Sequence, residues 1–210
     1  MRLGAAALLS LCFLAGPVWA GAQQYEPLAA SVRAALHAAV SDTAAPDPHF
    51  ASIEERIEWL TEMSRRLQKR MPDRQQRLEF LKAVRYEAQR AGLDAQLVLG
   101  LIEVESGFKK YAVSSAGARG YMQVMPFWVK LIGQPDHNLF HLRTNLRYGC
   151  TILRHYLDIE KGDLFRALGR YNGSLGRPEY PNMVRAAWEK RWHWTPPRRE
   201  AQRDNAAAPS

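Results

Sequence analysis

Glu103 and Glu105 are the residues of this sequence whose type and spacing point most directly to chemistry. They follow the nearly apolar stretch 97–102 and are separated by a single residue. If this stretch is helical, side chains two positions apart point about 200° away from each other and cannot share a face. Glu105 is in register with bulky apolar residues such as Leu101, whereas Glu103 lies on a smaller, more polar side. We therefore expect different environments for the two carboxyl groups.

A carboxyl group at the edge of a hydrophobic core is a candidate general acid. Loss of hydration raises its pKa, and the partial negative charge of a helix C-terminus acts in the same direction. Glu105 would then keep its proton near neutral pH, as a group that protonates a leaving oxygen must. The spacing alone leaves open that Glu105 caps the helix end or pairs with Lys109. Glu103 is expected to be a solvated or paired surface carboxylate.

The segments that position these glutamates are predicted to be helices. Apolar residues recur every fourth position from Leu28 to Val40, which indicates a short amphipathic helix. Ser52 and Glu55 have the spacing of a capping box, and Asp73 and Asp94 precede further helical patterns. The later predicted helices cover 52–70, 73–92, 94–106, 144–157, 163–171 and 181–192. Residues 107–120 are expected to form a loop or distorted short strands, and the predicted fold class is mainly α.

Length and charge limit the classes of protein that fit. The 210 residues are enough for one well-buried domain with an appendage. A formal net charge of +8 favours contact with a polyanion such as nucleic acid, membrane headgroups or an acidic wall polymer. The basic residues are scattered along helices rather than gathered with aromatic residues, which argues against a nucleic-acid binder. The histidines lack metal-site spacing, and we predict neither a metal nor a cofactor.

The first 20 residues are typical of a secretory signal peptide. A short basic start, an apolar stretch and a Gly-Pro break precede Val18-Trp19-Ala20, which fits the small-x-small cleavage pattern. Cleavage after Ala20, with Ala22 as a second candidate, predicts export. Cys150 is then the single cysteine, so no intrachain disulfide is expected, and it is predicted to be a small core residue. The remaining chain is divided into a helical extension with a Pro-containing linker, a main domain and a disordered tail, over 21–72, 73–194 and 195–210.

Four motifs resemble, in order and spacing, the soluble lytic murein transglycosylases. They are ESGF from Glu105, GARGYMQVMP from Gly117, NLRYG from Asn145 and ALGRYNGS from Ala167. The resemblance covers residues 73–194 and implies an SLT-type catalytic domain, mainly α and lysozyme-like, related in fold to goose-type lysozyme. It also implies action on peptidoglycan glycan strands. With the predicted signal peptide, we expect a periplasmic monomer.

The resemblance assigns roles to individual residues. Glu105 matches the single catalytic acid/base, and the neighbouring Ser106 is expected to support the turn. The positions that match substrate-binding residues are Ser114, Gln123, Met125, Tyr171 and Asn172. Within this set, Gln123 and Met125 are expected to contact sugar N-acetyl groups and the back of the site, and the Tyr171 hydroxyl to hydrogen-bond the glutamate.

Other positions match or depart from the family pattern. Asn145 and Gly149 match the start of a core helix, where capping and close packing are the preferred interpretation. Tyr121 stands where leucine is usual and would add a ring near the cleft, and Gly173-Ser174 replaces Ala-Gly. Trp188 and Trp192 are predicted to pack back onto the domain, with an extended glycan subsite as the alternative.

The implied reaction is cleavage of the MurNAc-β-1,4-GlcNAc bond with formation of 1,6-anhydro-MurNAc ends. No second carboxylate has a spacing that pairs it with Glu105, and Asp136 and Glu160 are the only nearby candidates. Two alternatives stay open: a lysozyme-type muramidase that hydrolyses the same bond, and a catalytically idle peptidoglycan-binding module. A further partner from the envelope or a secretion apparatus also stays open.

Overall fold

The protein is described here from a computed structural model, which covers residues 23–42, 44 and 47–196. The predicted signal peptide and most of the predicted tail lie outside these residues. The described part contains eight α-helices and a terminal π-helical turn: α1 Ala30–Ser41, α2 Ile53–Leu67, α3 Arg74–Arg90, α4 Ala95–Ser106, α5 Phe127–Ile132, α6 Leu142–Ile159, α7 Leu164–Asn172, α8 Glu179–Ala187 and the π-turn Trp188–Trp192. Its β-structure amounts to two isolated antiparallel bridges, Val113 with Arg119 and Arg119 with Val124. The mainly α fold class is confirmed.

The helix starts follow the capping residues of the sequence. The Ser52 hydroxyl accepts a hydrogen bond from the Glu55 amide at 3.1 Å, and the Glu55 carboxylate accepts one from the Ala51 amide at 2.7 Å. Asp73 and Asp94 likewise accept amide hydrogen bonds in the first turns of α3 and α4. Each bond satisfies a donor that the helix itself leaves unpaired. The short helix α5 was not among the predicted helices.

Helix α4 runs through the hydrophobic core. Four of its side chains are fully buried, namely Val98, Leu99, Leu101 and Ile102. The helix packs against α3, α8 and the π-turn. A Cβ atom at Gly100 would lie 2.8 Å from the backbone nitrogen of Trp188, so only glycine permits this close approach. The end of α4 is thereby placed beside α8.

The N-terminal helices are part of the same packed structure. Helix α1 lies on α5 and α6, and α2 lies on α3. Trp59 and Met63 of α2 are completely buried, and the Arg90 guanidinium donates to the Ala39 carbonyl at 2.7 Å. In the part of the chain that the structure describes, no helix combines the length and apolarity needed to cross a membrane.

Two core predictions are confirmed. Cys150 is completely buried, and burial raises the pKa of its thiol, which fits a packing residue and not a nucleophile. Trp192 is 1% exposed, and its ring lies 5.3 Å from that of Phe108, between centroids. The backbone of Trp188 lies against Gly100. Both tryptophans therefore pack back onto the domain, although through a π-turn and not a continuous α-helix.

Candidate active site

Glu105 lies in the last turn of α4 and is 5% exposed. The hydroxyl of Tyr180, from the first turn of α8, donates a hydrogen bond to its Oε1. Oε2 is buried without a hydrogen-bond partner among the described residues. Burial raises the pKa of Glu105 to about 8, and the hydrogen bond from Tyr180 opposes the rise only in part. The side chain is therefore mostly protonated at neutral pH.

The end of α4 is fixed on both sides of Glu105. Gly107 ends the helix in the left-handed conformation, at φ 56°, which glycine adopts without strain. The Ser106 hydroxyl lies 3.2 Å from the Ile102 carbonyl and 2.7 Å from the Tyr121 carbonyl, so it ties the helix to the loop that follows. Ser106 thus supports the turn as predicted.

Glu103 occupies the opposite environment. Its carboxylate accepts hydrogen bonds from Arg70 at 2.7 Å, from Arg191 at 3.0 Å and from the Trp192 indole at 2.6 Å. The expectation of a paired surface carboxylate is confirmed. The network also fastens α4 to the π-turn and to the end of α2. Because two arginines and an indole occupy its oxygens, Glu103 is a structural partner and not a candidate acid.

The loop between α4 and α5 contains three of the predicted substrate-binding residues. Ser114 accepts a hydrogen bond from the Ala118 amide at 3.1 Å, so its hydroxyl stabilises the turn that carries it. The Gln123 side chain is 1% exposed and donates to the carbonyls of Ala112 and Gly120 at 3.1 and 2.9 Å. Met125 is partly buried. Contact of these residues with a sugar stays a prediction.

Helix α6 holds the same loop from behind. Asn145 is completely buried and uses its whole amide group. Its Oδ1 accepts from the Met122 amide at 2.8 Å, and its Nδ2 donates to the carbonyls of Arg119 and Leu139 at 2.9 and 2.8 Å. A Cβ at Gly149 would lie 2.3 Å from the Met122 sulfur, so this position needs glycine. Close packing at Gly149 is confirmed, but capping by Asn145 was wrong, because α6 begins at Leu142 and the Asn145 amide bonds the preceding loop.

Tyr171 lies at the end of α7 and is completely buried. Its hydroxyl donates to the Met122 carbonyl at 2.7 Å. The prediction that Tyr171 hydrogen-bonds the glutamate was therefore wrong, because Tyr180 takes that position. Burial, and next the charge of Glu105, raise the pKa of Tyr171 well above 10, which indicates that the two residues are neighbours. Asn172 follows Tyr171 and is 5% exposed.

Tyr121 does not add a ring to a cleft. It is 3% exposed, and its ring centroid lies 4.9 Å from that of Phe80 in the core. The departure from the usual leucine is therefore accommodated by core packing. The expectation of an additional ring beside the substrate was wrong.

The other nearby carboxylate candidates differ from Glu105. Glu160 accepts hydrogen bonds from Arg166 and Arg170, and these bonds lower its pKa. It is therefore held ionised as a structural partner of two arginines. Asp136 is exposed and lines a surface groove with His137 and Lys130. Among the described residues, no group of three or more His, Cys, Asp or Glu side chains forms a candidate metal site.

The sequence did not identify two residues of this region, Tyr180 and Gln23, as part of the candidate site. Tyr180 follows Pro178 and Glu179 with no pattern that marks it as a partner of Glu105, 75 positions earlier. Gln23 lies just after the predicted cleavage sites, and its side chain hydrogen-bonds to the loop that precedes α5. An isolated glutamine carries no sequence signal of burial.

The fold and the site define a mainly α domain with one buried, neutral carboxyl group at the end of a core helix. Residues 82–190 match the family model "Transglycosylase SLT domain", and the chain belongs to this family.

Curated relatives carry a related name. The chain is 48% identical over 114 residues to membrane-bound lytic murein transglycosylase C of Haemophilus influenzae, covering 47% of this chain and 32% of the relative. It is 41% identical over 93 residues to the protein of that name from Haemophilus ducreyi, covering 38% and 25%. A third, from Histophilus somni, is 38% identical over 113 residues, covering 46% and 31%. The chain thus spans about a quarter to a third of these relatives.

Proposed function

We propose that this chain is an exported peptidoglycan lytic transglycosylase. It would cleave the MurNAc-β-1,4-GlcNAc bond and leave 1,6-anhydro-MurNAc ends, with Glu105 as the single acid/base. The observation that carries the proposal is the carboxyl group of Glu105, which is buried and has a pKa of about 8. The family membership and the printed name of the relatives support the same reaction.

In the first step, protonated Glu105 would donate its proton to the oxygen that links MurNAc C1 to GlcNAc. The C1–O bond breaks, and the GlcNAc end leaves as an alcohol. The carboxylate that remains would be stabilised by the Tyr180 hydroxyl, which already donates to Oε1. Burial, and next the charge of Glu105, raise the pKa of Tyr180 well above 10, so the phenol stays a donor throughout.

In the second step, the carboxylate of Glu105 would take the proton from the C6 hydroxyl of the same MurNAc residue. O6 attacks C1, a C1–O6 bond forms, and Glu105 regains its proton. No water is consumed. The substrate's own acetamido group could shield the positive charge at C1 between the two steps.

A single carboxylate is sufficient for this sequence of steps. Most glycoside hydrolases need a second carboxylate as nucleophile or base. An internal hydroxyl needs no such help, because effective molarities of well-oriented internal nucleophiles reach on the order of 10⁵ M or more. Glu160, one of the two carboxylates considered as a second catalytic group, is engaged by Arg166 and Arg170, which supports a mechanism without it.

The test is product analysis of purified sacculi by mass spectrometry. We expect muropeptides with 1,6-anhydro ends from the unmodified protein and no products from Glu105→Gln. Glu103→Gln, two residues away, is the matched control and should keep the same product type at a temperature where it is folded. Products heavier by one water than the anhydro products would identify the protein as a hydrolase instead. Intact sacculi that still bind the protein would assign a binding module.

Export is a separate part of the proposal. The signal peptide predicted over residues 1–20 would place the domain in the periplasm, where peptidoglycan lies. Removal of these residues leaves 28 basic and 21 acidic residues, a net charge of +7 that suits a substrate with peptide and lactyl carboxylates. Cell fractionation with N-terminal sequencing tests it: a cytoplasmic protein that keeps residues 1–20 would contradict export.

A further inference from the structure

The segment 23–28 precedes α1 and has no regular secondary structure. We call it the strap. No backbone–backbone hydrogen bond joins it to the rest of the described residues. Its first residue, Gln23, is nevertheless only 4% exposed, which is unusual for a glutamine in an irregular segment. The burial of Gln23 therefore depends on its side chain.

The Gln23 carboxamide is hydrogen-bonded at both ends. Its Oε1 accepts from the Met125 amide at 3.3 Å and from the Trp128 indole at 3.0 Å. Its Nε2 donates to the Gln123 carbonyl at 3.4 Å. A hydrogen bond to Gln23 also acts on the Tyr171 hydroxyl, whose pKa is raised mainly by burial and lowered slightly by this contact. A backbone carbonyl and a backbone amide two residues apart thus hold the two ends of one amide group.

These partners coincide with the predicted sugar site. Gln123, Met125 and Tyr171 are three of the five residues that sequence motifs assign to substrate binding. An N-acetyl group offers the same pair of functions as a carboxamide, an N–H donor and a C=O acceptor on one planar unit. A backbone N–H and C=O that accommodate Gln23 are therefore suited to an acetamido group.

We propose that the Gln23 side chain occupies the acetamido-binding position of the saccharide cleft, so that the strap is an internal competitor that the glycan must displace. This inference rests on the proposed function, because it takes the substrate to be an N-acetylated glycan. The inference gives the start of the N-terminal extension a regulatory role in addition to its packing on the domain.

The outer fastenings of the strap are weak enough for displacement. Glu26 pairs with Arg170 at 3.0 Å, and the Glu26 side chain is 44% exposed, so solvent screens this ion pair. Tyr25 is 62% exposed and makes an edge contact with Phe127, with the ring centroids 5.8 Å apart. Neither contact buries an apolar side chain deeply, and Leu28, the last strap residue, packs against the core only partly buried.

The first experiment measures binding of tetra-N-acetylchitotetraose by calorimetry, in the Glu105→Gln background so that nothing is cleaved. We expect Gln23→Ala to bind about tenfold more tightly, a change of about 1.4 kcal/mol. Gln75→Ala is the matched control, because Gln75 is an exposed glutamine on α3 whose side chain hydrogen-bonds the exposed Glu79. Weaker binding by Gln23→Ala would mean that Gln23 stabilises the binding site. Unchanged binding would mean that Gln23 lies outside the cleft. Either result overturns the proposal.

A second variant covers the case in which Gln23→Ala fails to fold. Glu26→Arg opposes Arg170 with a like charge and loosens the strap without touching the buried carboxamide. We expect tighter binding here too, by a smaller factor of about three. Unaltered or weaker binding in a folded Glu26→Arg protein would contradict the strap.

The same variants separate this inference from the proposed function. With Glu105 intact and sacculi as substrate, Gln23→Ala should lower KM and leave kcat unchanged, because only ground-state competition is removed. The unmodified protein could fail to cleave sacculi while Gln23→Ala binds the oligosaccharide more tightly. The proposed reaction would then be wrong, and competition by the strap would be supported. If cleavage gives anhydro products and Gln23→Ala changes neither KM nor binding, the proposed reaction is supported and competition by the strap is refuted.

Discussion

Replacement of Glu105 by glutamine should stabilise the folded protein, although it removes the group on which the proposed reaction depends. Glutamine has the shape of the protonated acid and can still accept the hydrogen bond from Tyr180. It has no charged form, so it avoids the cost of keeping a carboxyl group neutral when the unfolded chain would ionise it. The gain must therefore depend on pH.

The magnitude follows from the pKa of Glu105, which burial raises from 4.5 to about 8 against the opposing hydrogen bond from Tyr180. Below pH 4.5 both the folded and the unfolded chain are protonated, and the substitution should change little. Between pH 4.5 and 8 only the unfolded chain loses the proton, so each pH unit favours unfolding by about 1.4 kcal/mol. At pH 7 Glu105 therefore lowers the free energy of unfolding by about 3 kcal/mol, and above pH 8 this loss levels off at about 5 kcal/mol.

The assay is urea unfolding of both proteins at several pH values from 4 to 8.5. We expect Glu105→Gln to be more stable by about 3 kcal/mol at pH 7, or roughly 6–12 °C in Tm, and equal in stability at pH 4. Glu103→Gln is the control on the same helix and should lose stability at neutral pH, because Arg70 and Arg191 lose their partner. A difference between Glu105→Gln and the unmodified protein that is constant with pH would refute the reasoning.

The remaining predictions concern hydrogen bonds around the site and the core. Tyr180→Phe removes the bond that lowers the pKa of Glu105, so the alkaline limb of the kcat/KM profile should move up by about one to two pH units while kcat falls; an unmoved limb would contradict this. Asn145→Ala should cost about 3 kcal/mol in urea unfolding, since three backbone groups, two of them buried, lose their partner, and a loss near zero would show that the loop does not depend on it. Glu87→Ala should cost about 3–5 kcal/mol because it leaves Arg147 buried without its carboxylate, and equal stability would rule out that ion pair as a core element.

The helices were largely predictable because their signals are local. The capping side chains of Ser52, Asp73 and Asp94 act within one turn, and the apolar spacing that follows depends only on the helical period. Helix α5 was not predicted, because six residues are too few to show a helical period of apolar residues.

The site was predictable only in part. The burial of Glu105 follows from its register on α4, so its raised pKa could be expected. The partner of its carboxyl group could not, because Tyr180 reaches it through the packing of α8 on α4 across 75 positions. The family motif favoured Tyr171, which is buried beside Glu105 but finds a closer acceptor in the Met122 carbonyl. The motif thus places Tyr171 near Glu105 without fixing its hydrogen bond.

The two glutamates of α4 are linked to α8 and to the π-turn that follows it, from opposite sides of the helix. Glu103 holds Arg191 and Trp192, and these residues belong to the π-turn that continues directly from α8. Since α8 carries Tyr180 at its other end, the ion-paired carboxylate helps to fix the donor that contacts the buried one. Helical geometry thus gives two carboxyl groups, two residues apart, separate environments: Glu103 lies in an ion-paired network and Glu105 in the buried candidate site.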